Sequence, residues 1–188
     1  MSNPEAQWLE MARLGDEDAF GHLVEAYQRP VFNLCYRMTG DPGEAEDAAQ
    51  ETFLRAYQNL KRYDPQRPFA TWMLSIAAHY CIDQIRRRKA LITPLDALPE
   101  ETIPDADPGP EKLASKGEEQ RLMRSILSQL GPQDRAAVVL RYWYDLSDEE
   151  IGQALSLTVS AVKSRLHRAR RELARLWLEK QPQPVGTL

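Results

Sequence analysis

The chain has few of the residues that build covalent or metal-held scaffolds. Its 188 residues include two cysteines and three histidines. Cys35 and Cys81 stand far apart, with no Cys-x-x-Cys and no Cys/His ligand spacing, and His22 and His79 add none. Neither a disulfide framework nor a metal site is expected, and both cysteines read as reduced core thiols of a cytoplasmic protein. No apolar run approaches the ~20 residues that would span a bilayer, so direct membrane insertion is not expected. The acidic start, MSNPEAQWLEMARLGDEDAF, lacks the apolar stretch of a secretory signal. No segment alternates apolar and polar residues over strand length, so no sheet is expected. A Gly-rich phosphate loop, a Ser/His/Asp set and a metal-spaced cluster are all missing, and Glu44, Asp47 and Glu51 form no paired-carboxylate pocket. Nothing points to an enzyme, a catalytic residue or a cofactor.

What the chain does contain is helix-forming sequence with charge sorted along its length. The net charge is −4, yet residues 1–60 carry −7, 61–90 carry +5, 91–117 carry −4 and 118–188 carry +2. Charges beyond roughly 8 Å are screened at physiological salt, so local patches decide what the surface attracts. The two cationic patches are IRRRK, ending at Lys89, and KSRLHRARR, beginning at Lys163.

The apolar spacing predicts helices over EAQWLEMARLG, closed by Gly15, and over EDAFGHLVEAYQRPVFNLCYRMTG, with a kink or short break at Pro30. Asp41 or Pro42 opens the next helix, GEAEDAAQETFLRAYQNL. A loop, KRYDPQRPFA, precedes the helix TWMLSIAAHYCIDQIRRRKAL. Residues 93–117 hold five prolines, two glycines and an acidic excess, the composition of a flexible linker. Helical spacing returns at Glu118, stops at Gly131-Pro132 and resumes in QDRAAVVLRYWYDL. Ser147 and Glu150 form a capping box that starts the short helix DEEIGQAL. After the turn SLT, a last helix runs from about Val159 to Leu178. The expected fold is all-α: a helical domain over 1–92, a flexible acidic linker over 93–117, a second helical domain over 118–180 and a tail over 181–188.

A short capped helix, a three-residue turn and a longer basic helix make a helix-turn-helix. At 100° per residue, Val162, Leu166, Ala169 and Leu173 share the core face of the last helix. Ser160, Lys163, Ser164, His167, Arg168 and Arg171 lie on the opposite arc, with Arg165 and Arg170 on the flanks. That division suits a helix in a major groove, its arc on base edges and its flanks on phosphates. In the first half, Tyr63, Phe69 and Trp72 are positioned to stack on unpaired bases, while Lys61, Arg62, Arg86, Arg87, Arg88 and Lys89 track a backbone. The acidic stripe of Glu44, Asp47, Gln50 and Glu51 repels DNA and suits a basic protein partner.

AEDAAQETFLRAYQNL, FATWMLSIAAHYCIDQIRRRK and LSDEEIGQALSLTVSAVKSRLHRARREL, in that order around a linker, resemble bacterial sigma factors of the extracytoplasmic-function group. The resemblance covers about residues 8–90 and 118–178. It implies a protein that binds core RNA polymerase and directs it to promoters. Asp47, Gln50 and Glu51, with Phe53 and Tyr57 nearby, would grip the coiled-coil of the largest subunit. Lys61, Arg62, Tyr63, Phe69, Trp72, His79, Asp83, Arg86 and Arg87 would open and read the −10 element. Trp72 matches one of two adjacent tryptophans that wedge the duplex in primary sigma factors, and Met73 holds the second place. Ile76 replaces a polar base reader, which implies a weaker wedge. Ser160, Lys163, Ser164, Arg165, His167, Arg168 and Arg171 would read the −35 element. Leu130–Tyr144 would dock on the flap of the second-largest subunit, and the linker would thread toward the RNA path. Control by an anti-sigma factor, often membrane-anchored, is implied, and the chain end at QPQPVGTL implies no added C-terminal sensory domain. A response-regulator activator would need an alternating α/β receiver half instead.

Overall fold

A computed structural model describes residues 4–92 and 111–180. The described residues form eight α-helices and no strand. They are α1 (Pro4–Arg13), α2 (Glu17–Thr39), α3 (Pro42–Asn59), a 3-10 turn (Leu60–Arg62), α4 (Phe69–Ile92), α5 (Glu111–Gln129), α6 (Pro132–Tyr144), α7 (Asp148–Leu155) and α8 (Val159–Lys180).

Local chemistry sets the helix ends. The Asp16 and Asp41 carboxylates accept from the amides of Ala19 and Glu44, at 2.9 and 2.8 Å, and open α2 and α3. Gly40 closes α2 at φ 83°, a left-handed conformation that costs glycine little. Pro42 then starts α3, where a missing N–H leaves nothing unsatisfied. Of the kink or short break expected at Pro30, no break forms: α2 runs helical through it. Proline removes one amide from the ladder, and burial of Leu23, Val31, Leu34 and Met38 on either side holds the helix together. The linker expected over 93–117 falls largely outside the described residues, as does the tail over 181–188. Its last seven residues already belong to α5, which begins at Glu111 rather than Glu118.

The first body packs α1, α3 and α4 around α2. Cys35 and Cys81 are fully buried there as free thiols. Hydrogen bonding with Cys35, reinforced by burial, pushes the Cys81 thiol well above its usual range, so it carries no thiolate character. The second body packs α7 and α8 on α6, whose Ala136–Leu140 run is buried throughout.

The two bodies pack on each other: their apolar residues form one continuous core. α6 lies against α2 and α4, α7 against α4, and α5 against α2. Arg135 of α6 is buried at the seam and donates from Nη1 to the Met38 carbonyl, 97 positions earlier. Its Nη2 donates to the carbonyls of Ser128, at 2.6 Å, and Leu130, at 3.3 Å. One guanidinium therefore serves the C-terminal carbonyls of α2 and α5, which have no intrahelical donor. Burial lowers its pKa to about 10, so it stays a cation at neutral pH. Beside it, the Tyr144 hydroxyl donates to the Pro30 carbonyl, Arg37 stacks over Trp143 at 5.0 Å and Arg124 over Tyr36 at 5.2 Å.

Tyr144→Phe, which removes only the hydroxyl, is expected to lower unfolding stability by about 1 kcal/mol, because the Pro30 carbonyl loses a donor at the seam. Urea titration measures this, and an unchanged midpoint would show that the contact adds nothing.

Candidate nucleic-acid interface

The helix-turn-helix forms as its sequence chemistry dictates. The Ser147 hydroxyl accepts from the Glu150 amide at 3.1 Å, and the Glu150 carboxylate accepts from the Ser147 amide at 2.8 Å. α7 spans Asp148–Leu155, as expected. Ser156 ends it at φ 55°. Thr158 opens α8, its hydroxyl accepting from the Ala161 amide at 3.2 Å. Gly152 makes the turn tight enough: a Cβ there would sit 2.8 Å from the Leu157 carbonyl oxygen. Arg141 braces the approach, donating to the Leu146 carbonyl at 2.7 Å and pairing with Asp148 at 3.1 Å.

On α8, Val162, Leu166 and Ala169 are buried and Leu173 half-buried. Ser160, Lys163, Ser164, His167, Arg168 and Arg171 are exposed on the other side. Arg165 differs from them: it is half-buried and paired with Asp134 of α6 at 2.6 Å. Arg168 reaches the same carboxylate at 3.8 Å. Nothing in the spacing of the sequence marked Asp134, because the pairing spans 31 positions.

α4 carries the other cationic patch. Trp72, Ile76, His79, Asp83, Arg86 and Arg87 fall within an arc of about 100° and cover about 21 Å of helix from Trp72 to Arg86. Trp72 and Ile76 are half-buried, and the last four are exposed. Lys61 and Arg62 are exposed in the 3-10 turn before it.

The base-stacking expectation is corrected for two aromatics. Tyr63 and Phe69 are 5% and 3% exposed. They form an aromatic box with Tyr27 and Trp72, with ring centroids 5.1–5.5 Å apart. Their apolar area is spent on packing the loop against α2, so in this conformation they offer no face to a base. Met73, 1% exposed, likewise points into the core and cannot serve as a wedge. Trp72 keeps partial exposure and is the aromatic left at this surface.

The acidic stripe lies on α3. Asp47 and Gln50 are exposed, as is Tyr57, which meets Phe20 edge-on at 5.0 Å. Glu51 and Phe53 are half-buried, and Glu51 pairs with Arg55 at 2.7 Å. Gln50 and Phe53 line a groove between α2 and α3 of about 450 Å³ with Val24, Phe32 and Glu46. Asp47 faces a different cleft, beside Glu44, Gln84 and Arg88. The five candidate residues therefore divide between two faces of α3.

Comparison with known proteins identifies the family. Residues 23–91 match the family model for Sigma-70 region 2, and residues 120–173 that for Sigma-70, region 4. The chain is 37% identical over 172 residues to the ECF RNA polymerase sigma factor SigW of Bacillus subtilis, covering 88% of this chain and 92% of that protein. It is 36% identical over 164 residues to the ECF RNA polymerase sigma factor SigE of Mycolicibacterium smegmatis, covering 85% and 63%. Among solved structures, CnrH in complex with the cytosolic domain of CnrY aligns with a TM-score of 0.68 at 25% identity, covering 95% of this chain and all of that one. Two region matches in the order of the two helical bodies, and a relative this similar across most of both chains, establish that the chain belongs to the extracytoplasmic-function group of sigma-70 RNA polymerase sigma factors.

Proposed function

We propose that this sigma factor, a transcription initiation factor that directs RNA polymerase to its promoters, divides promoter reading between α4 and α8. Lys163, Ser164, His167 and Arg168, with Ser160 and Arg171 beside them, read the −35 duplex in the major groove. The supporting observation is the sorting of α8: a buried apolar face, an exposed polar arc and a capped helix-turn-helix behind it. The −10 element is taken as single strand along α4. Trp72 meets the bases, His79 and Asp83 sit along the same stripe, and Lys61, Arg62, Arg86 and Arg87 hold the backbone. Tyr63 and Phe69 act from below, by fixing the loop and Trp72. The exposed acidic residues of α3, with the groove of Gln50 and Phe53, take the coiled-coil of the largest polymerase subunit. α6 takes the flap of the second-largest subunit. The chain supplies no catalysis of its own.

Reading both elements at once requires the bodies to part. The −35 and −10 elements lie roughly 25 base pairs apart, about 85 Å at 3.4 Å per base pair. In the docked form, Arg86 and Lys89 of α4 line the same cleft as Arg165 of α8. The docked arrangement is therefore a form that precedes promoter binding. It also suits capture by an anti-sigma factor; CnrH, for its part, is found in complex with the cytosolic domain of CnrY. Among the described residues no helix is long and apolar enough to cross a membrane. We place the action of the chain in the cytoplasm, at the inner membrane face when an anchored anti-sigma factor holds it.

Run-off transcription with purified core polymerase tests the reading as a whole: transcripts from a promoter chosen out of a randomised pool should appear when this chain is added. Core polymerase giving the same transcripts alone would refute it. Lys163→Ala is expected to lower discrimination for the −35 element by about 1–3 kcal/mol while core binding stays intact. Asp47→Lys should do the reverse, weakening core association in a titration, and unchanged affinity would remove the acidic face from the polymerase contact.

A further inference from the structure

A sequence-reading helix faces a conflict of charge. α8 carries Lys163, Arg165, Arg168, Arg170, Arg171 and Arg175 on its described surface. Cations that reach phosphates raise affinity for any DNA, because phosphates carry no sequence information. Every base pair of the genome competes as a non-specific site, so surplus phosphate contacts erode selection. The structure withdraws part of this charge. Arg175 is occupied by Glu172 and Glu179 on its own helix, at 2.6 Å each. Arg165 is occupied from outside the helix, by Asp134.

Asp134 is well built for that task. It sits in the first turn of α6, where a carboxylate is favoured by the free amides of the helix start. Its side chain is 22% exposed and that of Arg165 26%, so water screens the pair less than a surface bridge. The carboxylate also lies 3.8 Å from Arg168, which the outer arc of α8 presents to bases. It further lines a cleft of about 310 Å³ beside Arg86 and Lys89 of α4. Within its own body, the carboxylate is held within 4 Å of two cations of α8, Arg165 and Arg168.

We propose that Asp134 is a positioning residue that sets the specificity of −35 reading. It neutralises Arg165 and steers Arg168 away from the phosphates, so that binding depends on the base-facing arc. This rests on the reading of α8 as the −35 helix, and it concerns a residue that touches no DNA itself.

The test compares holoenzymes carrying the wild-type chain, Asp134→Asn, Arg165→Met and the double variant. Each is titrated against a duplex with a scrambled −35 element over a KCl series. The contribution of core polymerase is common to all and cancels in the differences. Asp134→Asn is expected to steepen the slope of log K against log salt by about 0.9 to 1.8, for one or two released phosphate contacts. In the Arg165→Met background the same change should add about 0.9 or less, since only Arg168 remains to be freed. The affinity ratio between the intact and scrambled −35 duplexes should shrink. A lowered melting temperature with an unchanged slope and ratio would make the pair a structural brace and overturn the proposal. Lys163→Ala run alongside separates the two readings: unaltered −35 discrimination in that variant removes α8 as the reader, whatever Asp134 does.

Discussion

Two helices in this protein end where the two bodies meet, and their final carbonyls have no donor within the helix. Buried and unpaired, such groups cost free energy on the scale of a lost hydrogen bond. Arg135 supplies the donors for both, reaching Met38 at the end of α2 and Ser128 and Leu130 at the end of α5. The placement of α6 depends on this fork, and α7 and α8 depend on α6. A neutral donor could satisfy one carbonyl. A planar cation satisfies three and also complements the negative ends of two helix dipoles.

The same seam explains how one chain holds a compact shape and an extended task. The contacts across it are a buried guanidinium, a tyrosine hydroxyl and two cation–aromatic pairs, set within a continuous apolar core. Polar contacts of this kind contribute modestly once exchange with water is counted. A partner that parts the bodies must offset these contacts and also cover the apolar surface the bodies share. Under the proposed reading, core polymerase and promoter DNA hold the extended arrangement, and an anti-sigma factor the docked one.

Charge is arranged to the same end. An overall balance of −4 coexists with two cationic helices because acidic residues are placed on other faces or used as internal partners. Glu44 meets Arg88 at 2.6 Å, Glu51 meets Arg55 and Asp134 meets Arg165. Under the role proposed for Asp134, such pairing trims affinity for a polyanion in favour of selective reading.

Much of this was legible in the order of residues. The apolar period of 3.6, the caps at Asp41 and Ser147, and the stop at Gly131-Pro132 mark helices whose signals are local, within one or two turns of chain. The sorting of α8 into a core face and an exposed arc follows from the same period. Local spacing alone did not settle which aromatics are core. Tyr63, Phe69 and Trp72 share composition and neighbourhood, and only the packing of Phe69 on Tyr27 of α2, with Tyr63 against Phe69, buries two and leaves the third half-open. Nor could it mark Arg135, an arginine inside an apolar helix whose acceptor lies 97 positions away. The sequence by itself determined most of the helices, the capping box of α7 and the exposed arc of α8, because those depend on neighbours three or four residues apart. The tertiary structure alone decided that the two bodies dock and that Asp134 occupies Arg165, because those pairings join residues that only the folded chain brings within reach.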